Sequence, residues 1–265
     1  MAFRFHKMHG LGNDFVVIDA RTAPITIDAA RARAIADRRE GIGCDQLILI
    51  EPSQHADARM RIFNADGGEV EACGNASRCV ALLLGDRSTV ETLGGVIALE
   101  ANGAAATVDM GAPRFDWHDI PLAYPIDTAT MPVSWEGLER PAAVNVGNPH
   151  VIFFTPDCSA VELERLGPQI EHDPLFPDRV NVNVATIESR ERIHLRVWER
   201  GAGLTRACGT GACATAVAAI RAGLVDSPVR VALPGGELRI EWAAGGTIRM
   251  SGPATHVFTG EADGL

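Results

Sequence analysis

The chain carries one motif twice, and this limits its possible folds more than any other feature. RIFNADGGEVEACGN starts at Arg61 and RVWERGAGLTRACGT at Arg196, 135 residues later. In this alignment Ala72-Cys73-Gly74 falls on Ala207-Cys208-Gly209 without a gap. The same offset carries Gly12-Asn13 onto Gly147-Asn148, each ahead of a hydrophobic run, and Gln46 onto Asn181. Separated landmarks that share one offset mark an internal repeat, where convergence of short glycine-rich strings would scatter them. The 265 residues are therefore expected to hold two copies of one fold, over residues 1–116 and 117–254.

Each copy reads as strand-rich. Short β-branched or alternating runs cover Phe15–Ile18, Gln46–Ile50 and Arg59–Phe63, and then Val151–Phe154 and Ile193–Trp198. Helices are predicted over Asp28–Arg38, Ala160–Leu166, Asn75–Leu84 and Gly211–Ala222. The last two follow the repeated cysteines, are apolar nearly all round and end at Gly85 and Gly223, as buried helices do. This predicts an α+β protein of two pseudo-symmetric, barrel-like domains. Each would wrap a strand-rich sheet around one central helix, with the active site in the cleft between them. The proline-rich stretch Gly111–Pro141 reads as the crossover, an irregular loop.

A formal net charge of −10 disfavours nucleic acid, whose phosphates need clustered Lys and Arg. No apolar run is long enough to span a bilayer, and MAFRFHKMHG lacks the features of a secretory signal. The cytoplasm is the expected compartment. There the six cysteines do not read as a disulfide framework, and their spacings do not match a zinc knuckle. Cys44 and Cys158 are expected to be inert buried thiols.

Cys73 and Cys208 need another explanation, because each immediately precedes a helix. A helix start carries roughly half a positive charge and unpaired N–H groups, which lower a thiol pKa from about 8.5 into the range of roughly 3.5–7.5. The glycines that follow let a carboxylate approach those N–H groups. Two such sites related by pseudo-twofold symmetry would place one thiol on each face of the carbon that bears the carboxylate. One cysteine as thiolate could remove the α-proton and the other as thiol could return one. That is the chemistry of inverting a stereocentre. The N–H groups of Gly74, Asn75, Gly209 and Thr210 are the expected binding site for the carboxylate as it gains enolate character.

Other polar landmarks suit a zwitterionic substrate. Asn13, Gln46, Asn64, Asn148 and Asn181 are amides at repeat or motif positions, each equally suited to a turn or strand end. Arg200 can grip a carboxylate and Glu199 an ammonium group. His150 fits either a structural or an active-site histidine. Pyridoxal phosphate chemistry needs a lysine, and Lys7 is the only one in the chain; no nucleotide-binding motif is present. No cofactor or metal is expected.

MHGLGNDFVVID, GIGCDQ, FNADGGEVEACGNASRC, NVGNPH, RVNV, WERGAG and ACGTGACA, in this order over essentially the whole chain, resemble the diaminopimelate epimerase family. The resemblance implies cofactor-independent interconversion of LL- and meso-2,6-diaminopimelate, on the bacterial route to lysine and peptidoglycan. It also implies a homodimer, and a C-terminal strand near 255–265 that returns to the first domain. Cys73 and Cys208 match the family's catalytic bases, and Gly74, Asn75, Gly209 and Thr210 its carboxylate-binding helix starts. Asn13, Gln46, Asn64, Asn148, Asn181, Glu199 and Arg200 match substrate-binding positions, and His150 an active-site neighbour. Family members usually read C-G-N-G at the first cysteine, where this chain has Ala76. A proline racemase or hydroxyproline epimerase would use the same cysteine pair on a cyclic substrate. A thiol redox protein and a pure binding module are the readings from other classes.

Overall fold

Hydrogen-bond register shows how far the repeat reaches. The computed structural model describes residues 2–71 and 73–263. Ala72 of the repeated Ala-Cys-Gly and the last two residues of the expected 255–265 strand lie outside them. Two compact units result, one of residues up to Asp109 together with those from Gly252 onward, the other Met110–Ser251.

The first unit contains β1 (Phe3–Gly10), β2 (Asn13–Asp19), α1 (Ala29–Ala36), β3 (Gln46–Glu51), β4 (Ala58–Asn64) and β5 (Glu69–Val70). These are followed by α2 (Gly74–Leu84), β6 (Arg87–Thr92), β7 (Gly95–Asn102) and β8 (Ala105–Asp109). The second unit contains β9 (Ser134–Trp135), β10 (Leu138–Glu139), β11 (Ala142–Asn145), β12 (Pro149–Phe154), α3 (Leu163–Glu171), β13 (Asn181–Ser189) and β14 (Arg192–Glu199). It continues with β15 (Gly203–Thr205), α4 (Gly209–Arg221), β16 (Val229–Leu233) and β17 (Gly236–Glu241), and β18 (Arg249–Pro253) runs from it into the first unit. The chain then returns to the first unit, where β19 (Thr255–Ala262) pairs antiparallel with β1.

In the first unit β2 pairs parallel with β3, placing Phe15 opposite Gln46. In the second, β12 pairs parallel with β13, and His150 stands opposite Asn181. The antiparallel β4–β5 pair sets Ile62 against Val70, and β14–β15 sets Val197 against Thr205. Each partner is displaced by the sequence offset, so the repeat holds down to single residues. A one-residue slip would send every side chain to the opposite face, which is why a buried sheet face preserves register. In β14 the alternation places Ile193, Leu195 and Val197 inward while Arg192, His194 and Arg196 lie outside the buried core.

Each unit packs its strands around one buried helix. In α4 the run from Gly211 to Ala219 is buried without interruption, so the helix has no polar face to turn to solvent. It packs against β11, β12, β13, β14, β16 and β17. α2 is buried from Gly74 to Ala81 and packs against β1, β2, β6, β7 and β8. Alanine at five of the thirteen α4 positions favours the helix and lets strands approach it on several sides. Both helices begin earlier than the composition suggested, at Gly74 and Gly209 instead of Asn75 and Gly211. The extended cysteine immediately before each acts as N-cap, leaving the glycine free to take the first helical position.

Three further expectations are revised. The helix expected over Ala160–Leu166 is a short 3-10 turn, Cys158–Ala160, followed by α3, which runs on through Gly167 and Pro168 to Glu171. Gly-Pro reads as a stop, yet here Gly167 is a spacer: a Cβ on it would lie 2.4 Å from Cγ of Trp198. The crossover is also more ordered than a loop. It contains the β9–β10 hairpin and places Ile120, Leu122, Met131 and Leu138 in the core with Phe153 and Ile170. Helix α1 is shorter than expected, capped by Asp28, whose carboxylate accepts from Arg31 N at 2.8 Å. Among the described residues no helix is long and apolar enough to cross a membrane.

The Gly167 contact is testable. Gly167→Ala inserts a methyl group where the indole of Trp198 already sits, an overpacking that costs about 1–3 kcal/mol. Thermal unfolding followed by circular dichroism should shift down by roughly 2–10 °C. An unchanged Tm would show that α3 and Trp198 are not in this contact.

Candidate active site

Two structurally equivalent sites follow from the repeat, one at each helix start. In the first unit Cys73 is half-buried and extended (φ −148°, ψ 109°), and the chain turns into α2 immediately after it. Asn13 begins β2, after Gly12 in the left-handed region (φ 89°); Gly147 before Asn148 has the same conformation (φ 105°). Both glycines are required there, because a Cβ is strained at positive φ.

The Asn13 carbonyl oxygen lies between two donors. Asn75 Nδ2 donates to it at 3.2 Å and the Cys73 thiol points at it from 4.0 Å. The Asn13 NH2 group donates to Asp45 at 2.9 Å. The amide of Asn75 is fixed by Arg78, whose Nη2 donates to its oxygen at 2.9 Å. Arg78 is fully buried and also donates to the Pro253 carbonyl at 3.2 Å. Position 10 is tight for any side chain: a Cβ there would meet Arg78 Nη2 at 3.0 Å and the Asn75 carbonyl at 3.2 Å. Gln46 and Asn64 face each other across β3 and β4 and are joined at 2.9 Å. The remaining Gln46 oxygen is buried and finds no donor among the described residues, so it is suited to an ammonium group. Ala76 lies in the first turn of α2, fully buried and helical.

In the second unit Cys208 is almost fully buried and caps α4, accepting from Gly211 N at 3.3 Å and lying 3.5 Å from the Thr210 hydroxyl. Burial pushes its thiol well above the ordinary range, and the nearby Glu199 carboxylate adds to this; the Thr210 and Gly211 hydrogen bonds act the other way. The lowered pKa expected from a helix start is therefore not realised at Cys208. Glu199 is itself raised, first by burial, while Thr205 Oγ1 donates to it at 2.5 Å. Asn181 is committed to the main chain at both ends: Arg200 N donates to its oxygen at 2.9 Å and its NH2 donates to Pro149 O at 2.8 Å. This fixes the backbone that carries Arg200, whose exposed guanidinium donates through Nη1 to Asp178 O at 2.9 Å. His150 is fully buried between the amides of Asn148 and Asn183.

The two sites also contain residues not expected from the sequence. Arg78, Asp45, Asn183, Thr205 and Thr215 each orient a site residue. Asn183 carried a legible signal, since it is two residues from Asn181 and so on the same face of β13. Arg78 carried none, because an arginine in an otherwise apolar helix reads as a solvent-facing charge. Cys44 and Cys158 are buried thiols whose pKa burial raises, Cys44 to about 11.

Comparisons with known proteins point to one family. The family model described as diaminopimelate epimerase matches residues 5–115 and 142–257. The diaminopimelate epimerase of Rhizorhabdus wittichii is 69% identical over 264 residues, 99% of this chain and 96% of that protein. That of Zymomonas mobilis subsp. mobilis is 55% identical over 264 residues, 99% of this chain and 98% of that protein. Among solved structures, the Bacillus anthracis phenazine biosynthesis protein of the PhzF family superposes with a TM-score of 0.71 at 15% identity, covering 99% of each chain. A probable proline racemase from Agrobacterium radiobacter K84 gives 0.68 at 16% identity, covering 98% of this chain and 93% of that one. These two share the fold alone. The matching register, the paired cysteine caps and near full-length identity to named epimerases together show that the chain belongs to the diaminopimelate epimerase family.

Proposed function

We propose that this chain interconverts LL- and meso-2,6-diaminopimelate, supplying lysine and peptidoglycan precursors, with Cys73 and Cys208 as its acid–base pair and no cofactor or metal. The carrying observation is the equivalence of the two cysteines, each the extended N-cap of the buried helix of its own repeat. A single thiol at one helix start would suit a binding or redox site. Two at matched positions suit a reaction that needs a proton removed from one face and delivered to the other.

Cys208 begins as the thiol, because burial and Glu199 oppose its ionisation. Cys73 then removes the α-proton of the LL isomer, and Cys208 delivers its proton to the opposite face to give the meso isomer. The reverse reaction exchanges the roles. The α-carboxylate binds the N–H groups of Gly74, Asn75, Gly209 and Thr210. Each well-aimed donor stabilises the enolate-like transition state by about 3–4 kcal/mol. Asn13, Gln46, Asn64, Asn148 and Glu199 contact the polar groups of the substrate. Arg200 takes the distal carboxylate, and Asn181 holds the main chain from which Arg200 projects. We place the enzyme in the cytoplasm as a homodimer, supported by Val257 and Phe258, which are 54% and 48% exposed on β19.

The two-base reading is tested by Cys73→Ala and Cys208→Ala. Each variant should lose epimerisation by at least about 10²–10⁴-fold, because inversion needs both an acid and a base. The assay follows conversion of LL-diaminopimelate and α-deuterium uptake in deuterated water. Near-normal turnover by either variant would end the proposal.

Arg200→Met removes one charge-assisted contact to the distal carboxylate, worth about 1.5–3 kcal/mol. KM should rise roughly tenfold or more, and equal kinetic constants would show that Arg200 does not touch the substrate.

The protonation state is tested by alkylation. Since Glu199 raises the Cys208 thiol, removing its charge must lower it, so at fixed pH more thiolate is present in Glu199→Gln. Iodoacetamide labelling of Cys208 at pH 8, read by peptide mass, should speed up by as much as about tenfold per unit of pKa. A rate equal to wild type would show that burial alone sets the proton.

A further inference from the structure

His150 presents a hydrogen-bond accounting problem whose solution assigns a role to Asn183. Asn183 lies on β13 and is fully buried. Its NH2 group is 3.0 Å from the carbonyl oxygen of Gly211, which can only accept, and 3.0 Å from the Thr215 hydroxyl. The nitrogen of this amide therefore faces α4 and its oxygen faces the imidazole. Nδ1 of His150 lies 3.2 Å from that oxygen, so Nδ1 carries a proton.

A neutral ring then has a lone pair at Nε2, and the neighbour there is the amide of Asn148, with Oδ1 at 3.0 Å. Oxygen against a lone pair is repulsive unless the ring is doubly protonated. The surroundings oppose an imidazolium: the ring is 0% exposed, its two partners are neutral amides, and the nearby charge is the cation of Arg200. Burial pushes the ring's pKa down to about 4. Turning the Asn148 amide end for end resolves the conflict without moving its shape, because oxygen and NH2 are nearly isosteric.

We propose that Asn183 is a positioning residue that holds His150 in its Nδ1–H tautomer and thereby turns the amide of half-buried Asn148, its NH2 to the ring and its oxygen outward as an acceptor for a substrate ammonium group. The ammonium clause rests on the reading of Asn148 as a substrate contact; the tautomer does not. The same Asn183 amide grips Gly211, whose N–H donates to Cys208. The orientation of Asn148 and the start of α4 are thus set by one side chain.

The test is nuclear magnetic resonance of the full-length protein labelled with ¹⁵N at histidine, from pH 5.5 to 9, with His150→Asn identifying the ring signals by their loss. One ring proton on Nδ1 throughout, with unprotonated Nε2, is expected. A proton on Nε2 at pH 7, alone or in addition, overturns the proposal. Asn183→Leu keeps the volume and removes both amide ends. It should mix the two tautomers and raise KM for diaminopimelate severalfold. A spectrum identical to wild type overturns the positioning role, and an unchanged KM overturns the ammonium clause. If that variant does not fold, Asn183→Asp keeps the acceptor and adds charge. Its ring should then become doubly protonated below about pH 7, and a ring that stays neutral counts against the proposal. Wild-type protein inactive on diaminopimelate would refute the functional reading and leave the spectral result standing.

Discussion

The structure depends on setting a thiol at the start of a buried helix, where two electrostatic effects oppose each other. The helix start favours a thiolate by about 0.3–2 kcal/mol, at most roughly one and a half pKa units. Desolvation of a fully buried group works the other way by as much as 3–5 units. At Cys208 the second effect wins, because the thiol is 3% exposed and Glu199 adds a negative charge nearby. Under the proposed two-base mechanism the helix start holds the substrate carboxylate, and Cys208 keeps its proton until there is a carbanion to receive it.

Holding that position requires support from below. Each helix is surrounded by strands of its own unit, and the amides near each cysteine are fixed by partners that are buried or bound to the main chain. Arg78 sets Asn75, and Asn75 with Asp45 sets Asn13. In the other unit Thr205 sets Glu199 and Asn181 sets the main chain of Arg200. Donors and acceptors locked in this way need no reorganisation during the reaction, which is the basis of electrostatic preorganisation.

Much of this was legible in the sequence because duplication writes a fold twice. The offset that aligns Cys73 with Cys208 also aligns Gln46 with Asn181, and the strands pair in that register. Glycine stops at Gly85 and Gly223 were readable because left-handed backbone favours glycine, and both have positive φ. Features governed by distant contacts were not readable. Nothing local says that α3 continues through Pro168, since the reason is the indole of Trp198 packed on Gly167. Ile120 and Met131 of the crossover are core residues in a segment whose prolines suggest a loop. The lowered pKa expected at Cys208 failed for the same reason, because burial and Glu199 are supplied by the tertiary fold.

Duplication also shows where the two halves have parted. Under the shared offset, Asn64 corresponds to Glu199, Ile48 to Asn183 and Arg78 to Cys213. One half thus carries a buried guanidinium in the helix after its cysteine and an amide at the end of β4. The other carries Cys213 in the helix and a carboxylate at the end of β14. The Glu199 carboxylate, which has Asn64 as its counterpart in the first half, adds to the burial that favours a proton on Cys208. Charged residues at positions the repeat would otherwise keep alike break the symmetry of the two halves, and at Cys208 the difference opposes ionisation.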